Sequence, residues 1–232
     1  MIMNGIAAGT FQSGRDNFFS KNGKNMPPLD MAQGALFPVF THKEATQGSR
    51  YLFADWVHGY VVNNKDSLIQ NPRYLYNYDK IGGNLLVTVD KHTAVQLYKT
   101  SVQSFTLFDT TGRLPHTFVL FPSVDKDHYT QVISTGSNYS IFKLITTKFK
   151  KADYTNNGLT ATGNDFDSFE NEESYYLLNG KNGHLDKFSP RKKALIKIFP
   201  DQADKLKKFF DKNAGDIDDA YLANLCQYMN AE

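Results

Sequence analysis

The sequence predicts a mainly β fold, an antiparallel meander curled into a half-barrel or sandwich, followed by two or three C-terminal α-helices. Three observations carry that expectation. Between Tyr51 and Asp109, short β-favouring runs alternate along the chain and are cut by turn residues, with no helical period. Aromatic residues make up 14% of the chain, nearly all of them Tyr and Phe, and such side chains favour pleated surfaces. After Ser189-Pro190 the apolar residues recur instead at helical spacing.

The central stretch is read first. Trp56–Val62 forms a strand with Trp56, His58, Tyr60 and Val62 on one face, and Gly59 in its interior marks a bulge or a close backbone approach. Trp56, the only tryptophan, is expected to anchor the core at a bend. Asn63-Asn64-Lys65-Asp66 is a hairpin-type turn. Arg73–Asp79 alternates with Tyr74, Tyr76 and Tyr78 on one face, and Gly82-Gly83-Asn84 turns into Leu85–Asp90. Ala94–Tyr98 and Val102–Phe108 follow after short connections, and connections so short join antiparallel neighbours.

Beyond Thr110 the signals weaken. Phe118–Phe121 has strand character, but Pro115 and Pro122 bracket it and restrict it to an edge or a loop. Tyr129–Ser134 and Tyr139–Lys150 read as a hairpin closed by Thr135-Gly136-Ser137-Asn138. Lys151 to Glu173 is polar and reads as a surface loop, and Ser174–Leu178 returns as a last strand. Ser189 is then expected to cap a helix with Pro190 in its first turn and Ala194, Leu195 and Ile198 inward. Asp201 caps a second helix that buries Leu206, Phe209 and Phe210. Asp218 or Asp219 starts a third with Tyr221, Leu222, Leu225 and Met229.

The expected organisation is an irregular lead-in over residues 1–47, a β domain over 48–185 and a helical segment over 186–232 packed on it. In the lead-in, Leu36, Phe37, Val39 and Phe40 are expected to dock. Met1–Thr10 has the small, apolar ending of a clipped export signal. No apolar run approaches the roughly 18 residues of a transmembrane helix. The lone cysteine, Cys226, excludes an internal disulfide and falls in an apolar helical pattern, where a buried thiol is expected.

Candidate chemistry is sparse. Asp55 and His58 are too far out of phase in a strand to act as a dyad. Asp125, Asp127 and His128 could converge on a cation from a turn, and Asp165, Asp167, Glu170, Glu172 and Glu173 could hold calcium, although the order of ligands in a helix–loop–helix calcium site is absent. Arg191, Lys192, Lys193, Lys197, Lys205, Lys207, Lys208 and Lys212 form a basic helical face for phosphate groups or an acidic partner, with a solvated surface as the plainer reading. A net charge of +2 and the lack of a phosphate-cradling glycine loop argue against nucleic acid. No cofactor or metal is expected.

Gln47–Phe53, Asp55-Trp56-Val57 with Gly59 and Val61, Tyr76–Asp79, Val102–Phe105, Lys192–Leu195 and Phe199-Pro200-Asp201 occur in an order that resembles a family of uncharacterised secreted or envelope-associated proteins of Bacteroidetes-type bacteria. The resemblance runs from about Pro38 to Met229 on loose patterns. It implies export to the periplasm, envelope or outside, and a β-rich body with a helical end. It supplies no catalytic residue. The expectation is therefore a non-enzymatic binding or accessory module for a protein partner or surface component, with Trp56, Tyr60, Tyr74, Tyr76 and Tyr78 as candidate contacts. The alternatives are a carrier for an apolar small molecule in a β-cup and, third, a hydrolase. If Met1 is the true start, the location becomes cytoplasmic.

Overall fold

The structure, a computed structural model, describes residues 32–38, 46–110, 114–156 and 160–231. The export-signal reading of Met1–Thr10 and the docking of Val39 and Phe40 fall outside those residues, as do the side chains of Leu36 and Phe37. The fold is mainly β, with a large mixed sheet of nine strands, an antiparallel sheet of four, a two-stranded ribbon and three C-terminal helices. The path of the large sheet is open and does not close into a barrel. The chain divides into two compact units, Met1–His116 with Thr146–Asn171, and Thr117–Ile145 with Glu172–Glu232. The division does not follow the boundary expected at residues 185 and 186, because strand residues 117–145 belong with the helices.

The first unit contains β1 (Ala32–Pro38), β2 (Thr46–Gln47), β3 (Gly59–Asn63), β4 (Leu68–Ile69), β5 (Leu75–Asp79), β6 (Asn84–Thr88), β7 (Thr93–Leu97) and β8 (Val102–Phe108). The small sheet runs β1-β7-β6-β5, and β3 pairs antiparallel with β4 and β8. The expected single meander is thus shared between two sheets. The short link from β7 to β8 crosses from one sheet to the other through a 3-10 turn at Lys99–Ser101. The two sheets touch within the first unit, where the Tyr78 ring lies 5.8 Å from that of Phe105. Burial on the pleat agrees, since Leu85, Val87, Val95, Leu97, Phe105 and Leu107 are all within 3% of full burial.

Two expectations fail here for physical reasons. The strand predicted from Trp56 begins only at Gly59, and its inward residues are Val57, Gly59 and Val61. Gly59 decides the face. A Cβ there would come within 2.4 Å of the Thr106 carbonyl oxygen, so the glycine side is the one that packs closely. Trp56 lies outside that strand and is half-buried, so it is not a core anchor. The tyrosine ladder is also corrected, because Tyr74, Tyr76 and Tyr78 are 2%, 1% and 0% exposed and form core instead of a contact face.

The second unit is built on β9 (Pro115–Leu120), β10 (Tyr129–Ser134), β11 (Tyr139–Lys150), β14 (Asp167–Asn179) and β15 (Leu185–Phe188), of which β9, β11 and β14 also contribute residues to the first unit. Thr117–Leu120 pairs with Val132–Tyr129 and β9 lies between β10 and β8 in the sheet, so this segment is an interior strand, neither an edge nor a loop. Pro115 occupies its first position, where a missing N–H is tolerated. The expected hairpin of β10 and β11 is present. The expected surface loop of residues 151–173 is not irregular throughout: β12 (Thr155–Asn156) pairs with β13 (Ala161–Thr162), and β14 starts at Asp167. The charges that disguised this strand are exposed at Glu170, Glu172 and Glu173, where water solvates them without breaking the ladder.

Helices α1 (Lys192–Ile198), α2 (Ala203–Lys212) and α3 (Asp219–Asn230) bury Leu195, Leu206, Phe209, Leu222 and Leu225 in a core shared with Phe188. The α1 cap is Arg191, two residues later than Ser189, and it makes no side-chain cap bond. A 3-10 turn at Pro200–Gln202 precedes α2, so its cap is Gln202 and not Asp201. Asp218 caps α3 as predicted, its carboxylate accepting from Tyr221 N at 2.8 Å. Cys226 is fully buried, and burial pushes its thiol pKa up.

Asn230 locks the end of α3 onto the β10–β11 turn. Its Oδ1 accepts from the amides of Asn138 and Tyr139 at 2.8 and 2.9 Å, and its Nδ2 donates to the carbonyls of Tyr139 and Cys226 at 2.9 and 2.8 Å. Gly136 leaves room for that amide, since a Cβ there would lie 2.3 Å from it. Asn230→Ala removes four hydrogen bonds at this junction, including those to the amides of Asn138 and Tyr139, and is expected to destabilise the protein by about 2–3 kcal/mol. Gln227→Ala, on the exposed side of α3, should cost under about 0.5 kcal/mol. Urea unfolding monitored by circular dichroism measures both.

Candidate functional site

The most distinctive local structure in the first unit follows from an asparagine placed where strands rarely use one. Asn77 sits between Tyr76 and Tyr78 on β5 and is 5% exposed. The chain from Arg50 to Val57 runs along β5 without forming a regular strand. It makes backbone bonds at Leu52 N to Tyr78 O (2.9 Å), Val57 N to Tyr76 O (3.0 Å) and Tyr76 N to Val57 O (2.8 Å). Between those contacts it bulges away, and the Asn77 amide spans the gap. Its Oδ1 accepts from Phe53 N at 3.2 Å and Tyr78 N at 2.9 Å, while Nδ2 donates to Phe53 O at 2.9 Å and Asp55 O at 3.3 Å. Arg50 pins the start of the segment to Asp79 through two bonds, at 3.1 and 2.5 Å.

The bulge brings out Phe53, Asp55 and Trp56. Trp56 and Phe53 are half-buried and Asp55 is exposed. The Asp55 carboxylate accepts from Trp56 N at 2.7 Å and pairs with Lys91 Nζ at 3.0 Å. The Trp56 amide and the ammonium beside it hold this carboxyl below its ordinary range. Lys91 reaches it from a turn where its own φ is 63°, a left-handed geometry fixed by Asp90, whose Oδ1 accepts from His92 N and Thr93 N at 2.9 and 3.0 Å. Phe53 meets His116 edge-on at 5.5 Å.

Next to the bulge, the outer side of β3 and β8 carries His58, Tyr60 and Phe108. His58 O accepts from Phe108 N at 2.9 Å, and the rings of Tyr60 and Phe108 lie 6.3 Å apart. Tyr60 and Phe108 are half-buried and His58 is exposed. Of the sequence candidates, the structure therefore leaves Trp56 and Tyr60 open to solvent and buries Tyr74, Tyr76 and Tyr78. Phe53, Phe108 and the positioning residue Asn77 were missed. An asparagine inside an aromatic strand was the available signal, because such a side chain competes for backbone hydrogen bonds.

The other clusters fall into structural roles. Asp55 is engaged by Lys91 and Trp56 N, and no hydrogen bond links it to His58. Asp125 Oδ1 accepts from Asp127 N and His128 N at 2.7 and 2.8 Å and sits 3.0 Å from His128 Nδ1, which closes a turn. Asp167 accepts from Ala152 N, and Glu170 pairs with Lys150. Among the described residues no three His, Cys, Asp or Glu side chains are grouped to hold a metal ion. In the second unit, Lys143 pairs with Glu173 and Asp219 at 3.0 and 3.1 Å, and Tyr175 donates to Asp219 at 2.8 Å. Burial and the Asp219 bond push the Tyr175 hydroxyl up to about 12. Desolvation opposes the charge on Lys143, but its two carboxylates outweigh it and the pKa is raised. This knot ties α3 to β11 and β14.

Against protein-family models, curated proteins and solved structures, the chain finds no match.

Trp56, as the only tryptophan, reports on this face directly. Because the folded pKa of Asp55 is depressed, its contribution is present above the unfolded value of about 3.9 and is lost as pH falls through the folded pKa. Trp56 emission should hold steady through neutral pH and shift only below about pH 4, and Asp55→Asn should show the low-pH emission at neutral pH. A fluorescence titration checks both. Asn77→Ala should cost about 2–3 kcal/mol. Asn77→Asp should cost more, since it turns a carboxylate towards the carbonyls of Phe53 and Asp55; chemical denaturation ranks the two.

Proposed function

We propose that this chain is a non-catalytic binding module that recognises a protein partner through the aromatic face of its first unit, with Trp56, Tyr60 and Phe108 as contacts. The observation that supports the reading is the contrast between alternate residues from Trp56 to Val61. Val57 and Val61 are sealed in the core, while Trp56, on the bulge held by Asn77, and Tyr60, on β3, large aromatics with polar tips, remain half-exposed. Aromatics of this kind are enriched at the centres of protein interfaces, where a rigid ring gives large contact area at small entropic cost. The exposed Asp55–Lys91 pair and His58 supply a polar rim.

Export to the periplasm, envelope or outside belongs to the same proposal and rests on the leader pattern at Met1–Thr10 and on the resemblance to envelope-associated proteins. The carrier alternative draws less support, because it needs a closed or cupped sheet around a lined cavity and the path of the large sheet is open.

The test is co-purification from the envelope fraction of the native cells. A partner in stoichiometric amount is expected with the native chain. The Trp56→Ala/Tyr60→Ala double variant should weaken its retention by about 30-fold or more, the scale of losing interface hot spots. A chain that elutes as a monomer carrying lipid, or a partner held equally by the double variant, would contradict the assignment.

A further inference from the structure

The second unit carries a separate surface with different chemistry. Strand β15 comes last in the order of the large sheet and pairs with β14 alone, so among the described residues its other edge has no neighbouring strand. Beside it is an open cleft of about 430 Å³. Asp186, Lys187 and Phe188 line it from the strand, and Ala194, Lys197 and Ile198 line it from α1. The floor is apolar, with Phe188 6% exposed and Ala194 and Ile198 half-buried.

The rim is cationic. Lys197 is exposed, Lys193 stands one helical turn before it on the same side of α1, and exposed Arg191 precedes the helix, whereas the Lys187 side chain points to the other face of the sheet, its Nζ 5.8 Å from the Tyr176 ring. Among the described residues Arg191, Lys193 and Lys197 have no ion-pair partner. The single carboxylate lining the cleft, Asp186, already faces His184 Nε2 at 3.2 Å. Three cations at α1 therefore outnumber the one carboxylate beside an apolar floor next to a strand edge.

We propose that this cleft takes an extended acidic segment of a protein partner, laid along the free edge of β15. The main chain of the segment would pair with the strand, an apolar side chain would rest on Phe188, Ala194 and Ile198, and its carboxylates would meet Arg191, Lys193 and Lys197. A strand edge presents alternating N–H and C=O groups, and another extended backbone is what matches them. The lysines select acidic side chains over basic ones. The site is independent of the aromatic face on the first unit.

Fluorescence anisotropy of a labelled short peptide alternating Glu and Leu, titrated with the full chain, tests the proposal. Saturable binding is expected, weakened as salt rises and reduced about tenfold in the Lys193→Glu/Lys197→Glu variant, since each reversal replaces an attraction with a repulsion. The Trp56→Ala variant should bind the peptide as the native chain does, which separates this site from the proposed aromatic one. Methylating alternate peptide nitrogens should abolish binding by blocking the main-chain bonds. Absence of binding, equal binding of a Lys–Leu peptide, indifference to the two reversals or to nitrogen methylation, or displacement by inorganic phosphate or phosphatidylglycerol vesicles at comparable concentration would overturn it.

Discussion

Four hydrogen bonds from the side chain of Asn77 hold the first unit in its particular shape. Without them the chain between Leu52 and Val57 would have unmatched amides and carbonyls beside a strand with almost no access to water. A buried backbone group without a partner costs about 1–3 kcal/mol, so the bulge exists because one amide side chain replaces the missing ladder. The consequences run outward. The bulge sets the direction of Trp56, the turn bearing Lys91 is placed to meet Asp55, and Gly59 can then bring β3 against β8 with Val61 inward.

The second unit uses the same device at a different junction. Asn230 satisfies two amides and two carbonyls where α3 ends against the β10–β11 turn, and Gly136 provides the space. Both asparagines join irregular backbone to regular backbone, where no repeating pattern can supply the bonds. The Lys143–Glu173–Asp219 cluster adds specificity more than strength, because its carboxylates remain partly open to solvent.

Much of the fold was legible because alternation and helical spacing report burial directly. Leu85, Val87, Val95 and Leu97 fall inside as the pleat requires, and Leu195, Leu206, Leu222 and Leu225 as the helical period requires. What could not be read were features set by distant residues. The face of β3 depended on Thr106, far away in sequence, approaching Gly59. The length of β14 was hidden by solvated glutamates that resemble a loop. The burial of Tyr74, Tyr76 and Tyr78 required knowing that a second sheet covers β5, since alternation shows which residues share a face but not what lies over it. For the candidate site, Trp56 and Tyr60 could be nominated by residue type, whereas Asn77, which positions one of them, acts through contacts that have no sequence period.

The central claim is that the Asn77 side chain holds the Phe53 backbone, and amide hydrogen exchange resolved by residue tests it most directly. The Phe53 amide lies in no regular strand, yet it should be protected to about the same degree as that of Tyr76 in the neighbouring strand, and Asn77→Ala should strip protection from Phe53 while leaving Tyr76 largely protected. Exchange of Phe53 at the rate of an open loop in the native chain would contradict the account, and with it the placement of Trp56 on which the proposed binding face depends.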